Sequence, residues 1–535
     1  MSDKISAIET DVVVVGAGFG GIYALHKLRG LGFSVQGFEI GDDVGGTWYW
    51  NRYPGARCDV ESIDYSFSFD DALQQEWVWT ERYGAQPEIQ AYIAHVADRF
   101  DLRPLIQFET RVESAVWNEG AGRWMIATDR GGSFAARFLV LATGSLSAAK
   151  EPEIEGLGDF SGELLFTSNW PKGPVNVAGK HVGVIGTGSS AIQAIPLLAK
   201  EAGHLTVFQR TPNFSMPARN CPMVPEQLVA AKANYAEHRK KTRASRAGAI
   251  AYGTDKSAHA VDADVRNLHF EEAWDRGGSG FPSTFTDIMR DQTANDYAAE
   301  FVRAKIRELV NDQTTAEILS PREYPLGAKR VALDTNYYQT FNRPNVSLKD
   351  LRQTPINRIV SEGVETSDGV TPLDTLVLAT GFDAMTGSFL RVDIRGVEGR
   401  TLRDHWSAGP RTYLGLMANG FPNLFFIAGP GSPSVLSNMV LSIEQHVEWI
   451  SDCIVKMQSQ GLNRIEAEET AEENWVQRLN DSASGTLFMK GNSWYLGANV
   501  PGKPRVFMPF LGGIAEYRRI CDEIVSNHYS GLSRS

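Results

Sequence analysis

Two glycine-rich runs, and the charged residues that follow each, are where this sequence offers chemistry first. Gly16-Ala17-Gly18-Phe19-Gly20-Gly21 fits GxGxxG. Gly16 permits a tight turn, Gly18 lets backbone approach a pyrophosphate, and Gly21 lets a helix pack closely on the preceding strand. The unpaired N–H groups at the start of such a helix suit phosphate. Glu39 ends the next apolar run, where a carboxylate binds ribose hydroxyls and disfavours a 2′-phosphate. Gly186-Thr187-Gly188-Ser189-Ser190-Ala191 repeats the pattern with alanine in the third place. Its next apolar run ends not in an acid but in Gln209-Arg210-Thr211-Pro212. A guanidinium pairs bidentately with phosphate, so Arg210 is the candidate for the 2′-phosphate of NADP(H), with Thr211 beside it and Lys329 as a second cation.

The elements that must position these residues follow from apolar patterning. The spacing predicts a strand over 11–15, a helix over 22–28 and a strand over 35–39, which is a βαβ unit. A second unit is predicted from a strand at 181–185, a helix running to Lys200 and a strand at 205–209. Two further strands, 138–141 and 375–378, each run into Ala-Thr-Gly. Between them, 225–319 is rich in Ala, Lys, Arg and Glu and reads as a helical insertion, with Phe301, Val302, Ile306, Leu309 and Val310 on one face. Within it, 243–262 has no periodic core face and is expected to be mobile, and 277–280 is expected to be a loop or hinge.

Composition narrows the function classes. The chain has 535 residues and a formal net charge of −12. It is long enough for several domains, and the acidic balance does not favour a general nucleic-acid binder, whose affinity rests on a cationic surface, while leaving room for a local basic pocket for one nucleotide. Cys58, Cys221, Cys453 and Cys521 form no CxxC pair, so neither a redox dithiol nor a zinc knuckle is expected. Residues 1–10 lack the apolar core of a signal peptide, and no apolar run is long enough to span a membrane. The expectation is a soluble cytoplasmic protein without membrane or nucleic-acid partners.

Gly45-Gly46-Thr47-Trp48, taken with Glu39, resembles the FAD half of flavoproteins that bind two dinucleotides. Phe160-Ser-Gly162-Glu-Leu-Leu-Phe166-Thr-Ser-Asn-Trp170-Pro171 resembles the FxGxxxHxxxWP fingerprint of type I Baeyer–Villiger monooxygenases, departing where Phe166 replaces histidine. Segments 45–59, 186–193, 208–212, 327–330, 379–383, 429–439 and 493–503 are similar to the corresponding family segments, and the phenylacetone-type members look nearer than the cyclohexanone type. The resemblance implies an α/β fold with two Rossmann-like dinucleotide-binding domains, for FAD and NADP, and a helical insertion. The expected division is FAD domain at 1–147 and 383–535, NADP domain at 148–220 and 329–382, and insertion at 221–328.

The same resemblance implies NADPH- and O2-dependent conversion of aryl, linear or cyclic ketones to esters or lactones through a C4a-peroxyflavin. It assigns Arg330 as the active-site cation and Asp59 as its acidic partner. It places Arg57, Cys58, Gln193 and Lys329 near the nucleotides, and Trp494 on a mobile loop reaching NADP. Phe19, Gly46, Thr47, Trp48, Tyr65, Val112 and Met439 match FAD contacts, and Ser434, Val435 and Leu436 border the substrate. A monomer or weak homo-oligomer is expected. Two other readings stand beside this one. A related fingerprint ending in Tyr or Phe marks flavin monooxygenases of sulfides and amines, although Trp170-Pro171 favours the ketone side. A nucleotide-binding redox sensor that only leaks electrons to O2 is the third.

Overall fold

The computed structural model describes residues 7–150, 152–250 and 252–535. Most of the segment read as an N-terminal tail without a leader, residues 1–6, lies outside the described residues. The run Val12–Val15 is wholly buried, as β-branched residues in the middle of a parallel sheet must be. Its strand starts earlier than expected, at Ile8–Val15, and the next ends one residue earlier, at Val35–Phe38. Glu39 therefore stands just past the strand, free to turn its carboxylate toward the glycine loop. Around this pair an eight-stranded sheet forms in the order Asp393–Arg395, Val112–Asn118, Arg123–Thr128, Ser133–Leu141, Ile8–Val15, Val35–Phe38, Ile106–Gln107, with Leu424–Phe426 also paired to Ser133–Leu141. Strand Ile8–Val15 is parallel to both neighbours, with Val15 opposite Phe38 and Leu141. Gly16, Glu39 and Ala142 thus meet at one carboxyl edge, where open α/β sheets bind ligands.

The second sheet has five strands, all parallel: Val346–Asp350, His204–Gln209, His181–Ile185, Thr375–Leu378 and Glu163–Phe166. Ile185 lies opposite Phe208 and Leu378, so Gly186, Arg210 and Ala379 emerge together. The fingerprint segment supplies the edge strand, with Phe166 opposite Leu378. Phe166 packs against an apolar cluster that includes Ile185, Phe208 and Leu376, a surrounding a phenyl ring suits. Trp170 is buried in the neighbouring core.

Helices Pro225–Ala233, Tyr235–Arg243, Ala263–Arg276, Gln292–Leu309 and Gln313–Leu319 carry the insertion. Val302, Ile306 and Val310 are buried on the expected face, with Phe301 and Leu309 packed at its border. The stretch expected to be mobile is tied down at its start: Asn438 N–H donates to the Ala247 carbonyl at 2.7 Å, and Ile514 N–H to that of Arg246 at 2.9 Å. Ala251, in the same stretch, lies outside the described residues. Helix Met439–Ser459 packs on Phe19–Gly30, burying Val440, Val447 and Ile450 beside Ile22 and Leu25. Each such side chain contributes about 1.5–3 kcal/mol. Where the chain crosses between the sheets, Lys150 N–H donates to the Gly381 carbonyl at 3.2 Å and Asp383 N–H to that of Ala148 at 2.9 Å. No helix among the described residues is long and apolar enough to cross a membrane.

Candidate active site

The carboxyl edges of the two sheets face a common cavity of about 1040 Å³. At the first loop Gly21 admits nothing larger, because a Cβ there would stand 1.7 Å from the Gly16 carbonyl oxygen. That is the close helix–strand approach its position called for, and Gly21 itself does not line the cavity. Glu39 is buried and accepts from Ala17 N–H and Gly41 N–H, each at 2.8 Å. Burial raises its pKa, and the two backbone donors offset part of that rise. The carboxylate therefore fixes the glycine loop while lining the cavity where a ribose would lie. Gly16, Gly18, Phe19, Gly46, Thr47 and Trp48 line the same side. Trp48 donates to the Tyr65 hydroxyl at 3.1 Å, and Phe19 meets Tyr65 edge-on at 5.2 Å. Tyr65, Val112 and Met439 complete this wall. Met439 opens a helix capped by Asn438, whose side chain accepts from Val440 and Leu441 N–H.

Gly186 makes the matching turn at the second loop, at φ +122, where a Cβ would stand 2.4 Å from the Ala379 carbonyl. Gly188, Ser189 and Ser190 line the cavity, and the Thr187 hydroxyl donates to the Thr211 carbonyl at 2.6 Å. Arg210 is exposed at the cavity mouth and Lys329 is half-buried over the Tyr324 ring, 4.4 Å from its centroid. Burial, then the neighbouring Arg210, lowers the Lys329 pKa. Neither cation has a carboxylate within ion-pair distance among the described residues. Two neighbouring cations, neither in a salt bridge among the described residues, fit a 2′-phosphate, while the turned glycines and the Glu39 carboxylate fit a diphosphate and an unphosphorylated ribose. These residues fit NADP and FAD respectively.

Arg330 lies between the two loops. Its Nε donates to Asp59 Oδ2 at 2.7 Å, Nη2 reaches the same oxygen at 2.6 Å, and Nη1 donates to the Val435 carbonyl at 2.6 Å. Burial would lower its pKa, but Asp59 and the Tyr495 hydroxyl outweigh that and hold it above its ordinary value. The guanidinium is thus fixed in place and charged where it lines the cavity. Tyr495 is 2% exposed and braced by Phe488 and Phe507. Sequence reasoning missed it, and its only signal was adjacency to Trp494, which lines the cavity.

Other expected residues fall into place unevenly. Cys58 lines the cavity, and burial pushes its thiol well above the usual range, which keeps it protonated. Arg57 also lines the cavity, yet its guanidinium is taken by Glu81 and the Tyr83 carbonyl. Gln193 bonds Tyr53 and the Arg57 carbonyl. Of the three residues expected against substrate, Val435 lines the cavity. Ser434 is fully buried at φ +43, and Leu436 packs into the cluster around Tyr495 and Phe507, so neither faces it. The strained turn at Ser434 points the Val435 carbonyl at Arg330 and its neighbours away.

A family model described as pyridine nucleotide-disulphide oxidoreductase matches residues 10–265, which include both glycine loops. A Baeyer–Villiger monooxygenase of Pseudooceanicola batsensis is 42% identical over 99% of this chain and 97% of its own length. A solved steroid monooxygenase bound to NADP is 50% identical with a TM-score of 0.95, covering 98% of this chain and 99% of that one. The cyclohexanone monooxygenase of Rhodococcus sp. Phi1 bound to NADP+ is 45% identical with a TM-score of 0.97, covering 99% of this chain and all of the other. Full-length likeness of this order, around an arginine poised between a flavin-type and an NADP-type loop, places the chain in the Baeyer–Villiger monooxygenase family.

Proposed function

We propose that this protein is an NADPH- and O2-dependent monooxygenase that converts ketones, aryl, linear or cyclic, to esters or lactones. The observation that carries the reading is the Arg330 guanidinium, held by Asp59 and the Val435 carbonyl in the cavity between the two nucleotide loops. FAD, when bound, takes hydride from NADPH and supplies reduced flavin for reaction with O2. Everything else is work for the chain. Glu39 and the first loop hold the flavin nucleotide, and Arg210 with Lys329 hold the 2′-phosphate. Arg330 presents a charge that does not titrate at working pH to the oxyanion that develops when the ketone carbonyl is attacked. Asp59 orients that charge without a proton changing hands. Trp494 and Val435 border the space left for substrate and exclude water from it.

The reading includes the domain division given above and a cytoplasmic protein, monomeric or weakly self-associating. Four free cysteines support a reducing compartment. The test is mass analysis of products from holoprotein supplied with NADPH, air and a panel of ketones, with a sulfide control. An ester or lactone heavier than the ketone by one oxygen is expected. Sulfoxide as the main product would establish the heteroatom reading instead. NADPH consumption with peroxide alone, across the whole panel, would overturn the oxygenase reading in favour of a redox sensor.

A further inference from the structure

The segment that carries Asp59 is clamped from two sides through a single peptide unit. On one side the Cys58 N–H donates to the Gly84 carbonyl at 3.1 Å. On the other, Gln193 Nε2 donates to the Arg57 carbonyl at 3.1 Å. The Arg57 carbonyl and the Cys58 N–H belong to the same planar unit, so holding both ends fixes its orientation, and with it the direction in which Asp59 leaves. Gln193 is itself braced, since its Oε1 accepts from the Tyr53 hydroxyl at 2.9 Å. Tyr53 is buried, and the Ser190 hydroxyl also faces it. Gly55 lies flat on the helix: a Cβ there would stand 2.5 Å from the Gln193 carbonyl oxygen. That helix, Ser189–Glu201, begins directly after the Gly186–Gly188 turn. A short path of bonds therefore runs from the NADP-side loop through Gln193 to the Arg57–Cys58 peptide, then to Asp59 and Arg330.

We propose that Gln193 is a positioning residue that couples occupancy of the Gly186–Ser190 loop to the placement of Asp59 and Arg330. This rests on the proposed function for its consequence, since misplacing Asp59 matters only if Arg330 acts on a reacting oxygen. A plain nucleotide contact would govern affinity, whereas a positioning residue governs what happens after binding.

The test uses full-length holoprotein with Gln193→Leu, Gln193→Glu and Tyr53→Phe. Three quantities are read: NADP+ affinity by calorimetry, hydrogen exchange of the 53–60 segment with and without NADP+, and ester formed per NADPH consumed. In the unaltered protein NADP+ should slow exchange in 53–60. In Gln193→Leu that slowing should vanish, with NADP+ affinity within about threefold and ester per NADPH down about tenfold, the scale of one lost hydrogen bond. Gln193→Glu keeps an acceptor for Tyr53 but has no donor for the Arg57 carbonyl, so at saturating NADP+ it should match Gln193→Leu in exchange and in ester per NADPH, while its added negative charge weakens NADP+ binding. Tyr53→Phe should show the same change, smaller. Weakened NADP+ binding with unchanged exchange response and unchanged ester per NADPH would make Gln193 a simple nucleotide contact and overturn the proposal. If Gln193→Leu fails to load FAD, the contrast between Gln193→Glu and Tyr53→Phe decides on the same readouts. A failure of ketone turnover in the unaltered protein would sink the proposed function instead, and the exchange and affinity comparison would still be decisive for the coupling.

Discussion

At the first glycine loop, a Cβ on Gly18 would stand 3.3 Å from the Cα of Gly46, while at the second a Cβ on Gly188 would meet nothing within 4 Å. The same contrast runs through the charges. Glu39 is buried and bonded to two backbone amides, whereas Arg210 is exposed and Lys329 sits at a ring face with no salt bridge among the described residues. Two motifs of nearly equal sequence thus make an enclosed site and an open one. Enclosure suits a prosthetic group that stays, and openness suits a coenzyme that must arrive and leave. The difference is made by what the rest of the chain lays over each loop: Gly45–Trp50 packs directly on the first, while a Cβ on Gly188 of the second would meet no atom within 4 Å.

The largest effects should come from breaking the enclosed site. Gly21→Ala puts a methyl 1.7 Å from the Gly16 carbonyl, so purified protein should carry little or no FAD by absorbance and lose several kcal/mol of stability. Gly188→Ala should instead leave FAD content and melting temperature unchanged and raise the KM for NADPH, because the methyl meets only the incoming pyrophosphate. Equal damage from both would break the comparison. Next, Arg330→Ala should keep FAD and lose ester formation by about 100-fold or more, the scale of one oxyanion donor, as read by product analysis. Wild-type ester yield in that variant would remove Arg330 from the chemistry. Arg210→Ala should erase about 10- to 100-fold of the preference for NADPH over NADH, the worth of a charge-assisted pair, in steady-state kinetics with both coenzymes.

What could be read from sequence was what is local. Each glycine loop, with Glu39 or Arg210 at the next strand end, is one βαβ unit whose spacing encodes its geometry. Thr375–Leu378 and His181–Ile185 are legible for the same reason, as short buried β-branched runs. The pair Asp59–Arg330 is separated by most of the NADP half, and no periodicity links the two, so only the family resemblance joined them. The Val435 carbonyl on Arg330, the Tyr495 hydroxyl beside it and the Gln193–Tyr53–Arg57 clamp were not legible at all. Backbone acceptors have no residue signature, and a buried Tyr or Gln looks like any other. Ser434 and Leu436 stand off the cavity wall, Ser434 fully buried at positive φ and Leu436 packed beside Tyr495 and Phe507, and serine carries no mark of that conformation.

The smallest effect concerns how the enclosed side is kept shut. Ala428 lines the cavity at φ +55, and its N–H donates to Nδ1 of His446 at 3.0 Å. His446 is fully buried beside the Tyr517 ring, with Nε2 lacking a partner among the described residues. Burial, reinforced by the Arg518 charge, lowers its pKa from 6.5 to about 3. The folded chain therefore refuses a proton that the unfolded chain accepts below pH 6.5. Stability from the neutral ring is complete above that value and is lost as pH falls toward 3. A protonated Nδ1 also cannot accept from Ala428. His446→Asn keeps an acceptor near the Nδ1 position and does not titrate. Followed by FAD fluorescence, it should release flavin at a pH lower by up to about one unit than the unaltered protein, with no change in the KM for NADPH. Identical acid release in the two would mean that the first loop opens elsewhere, and that its enclosure owes nothing to this ring.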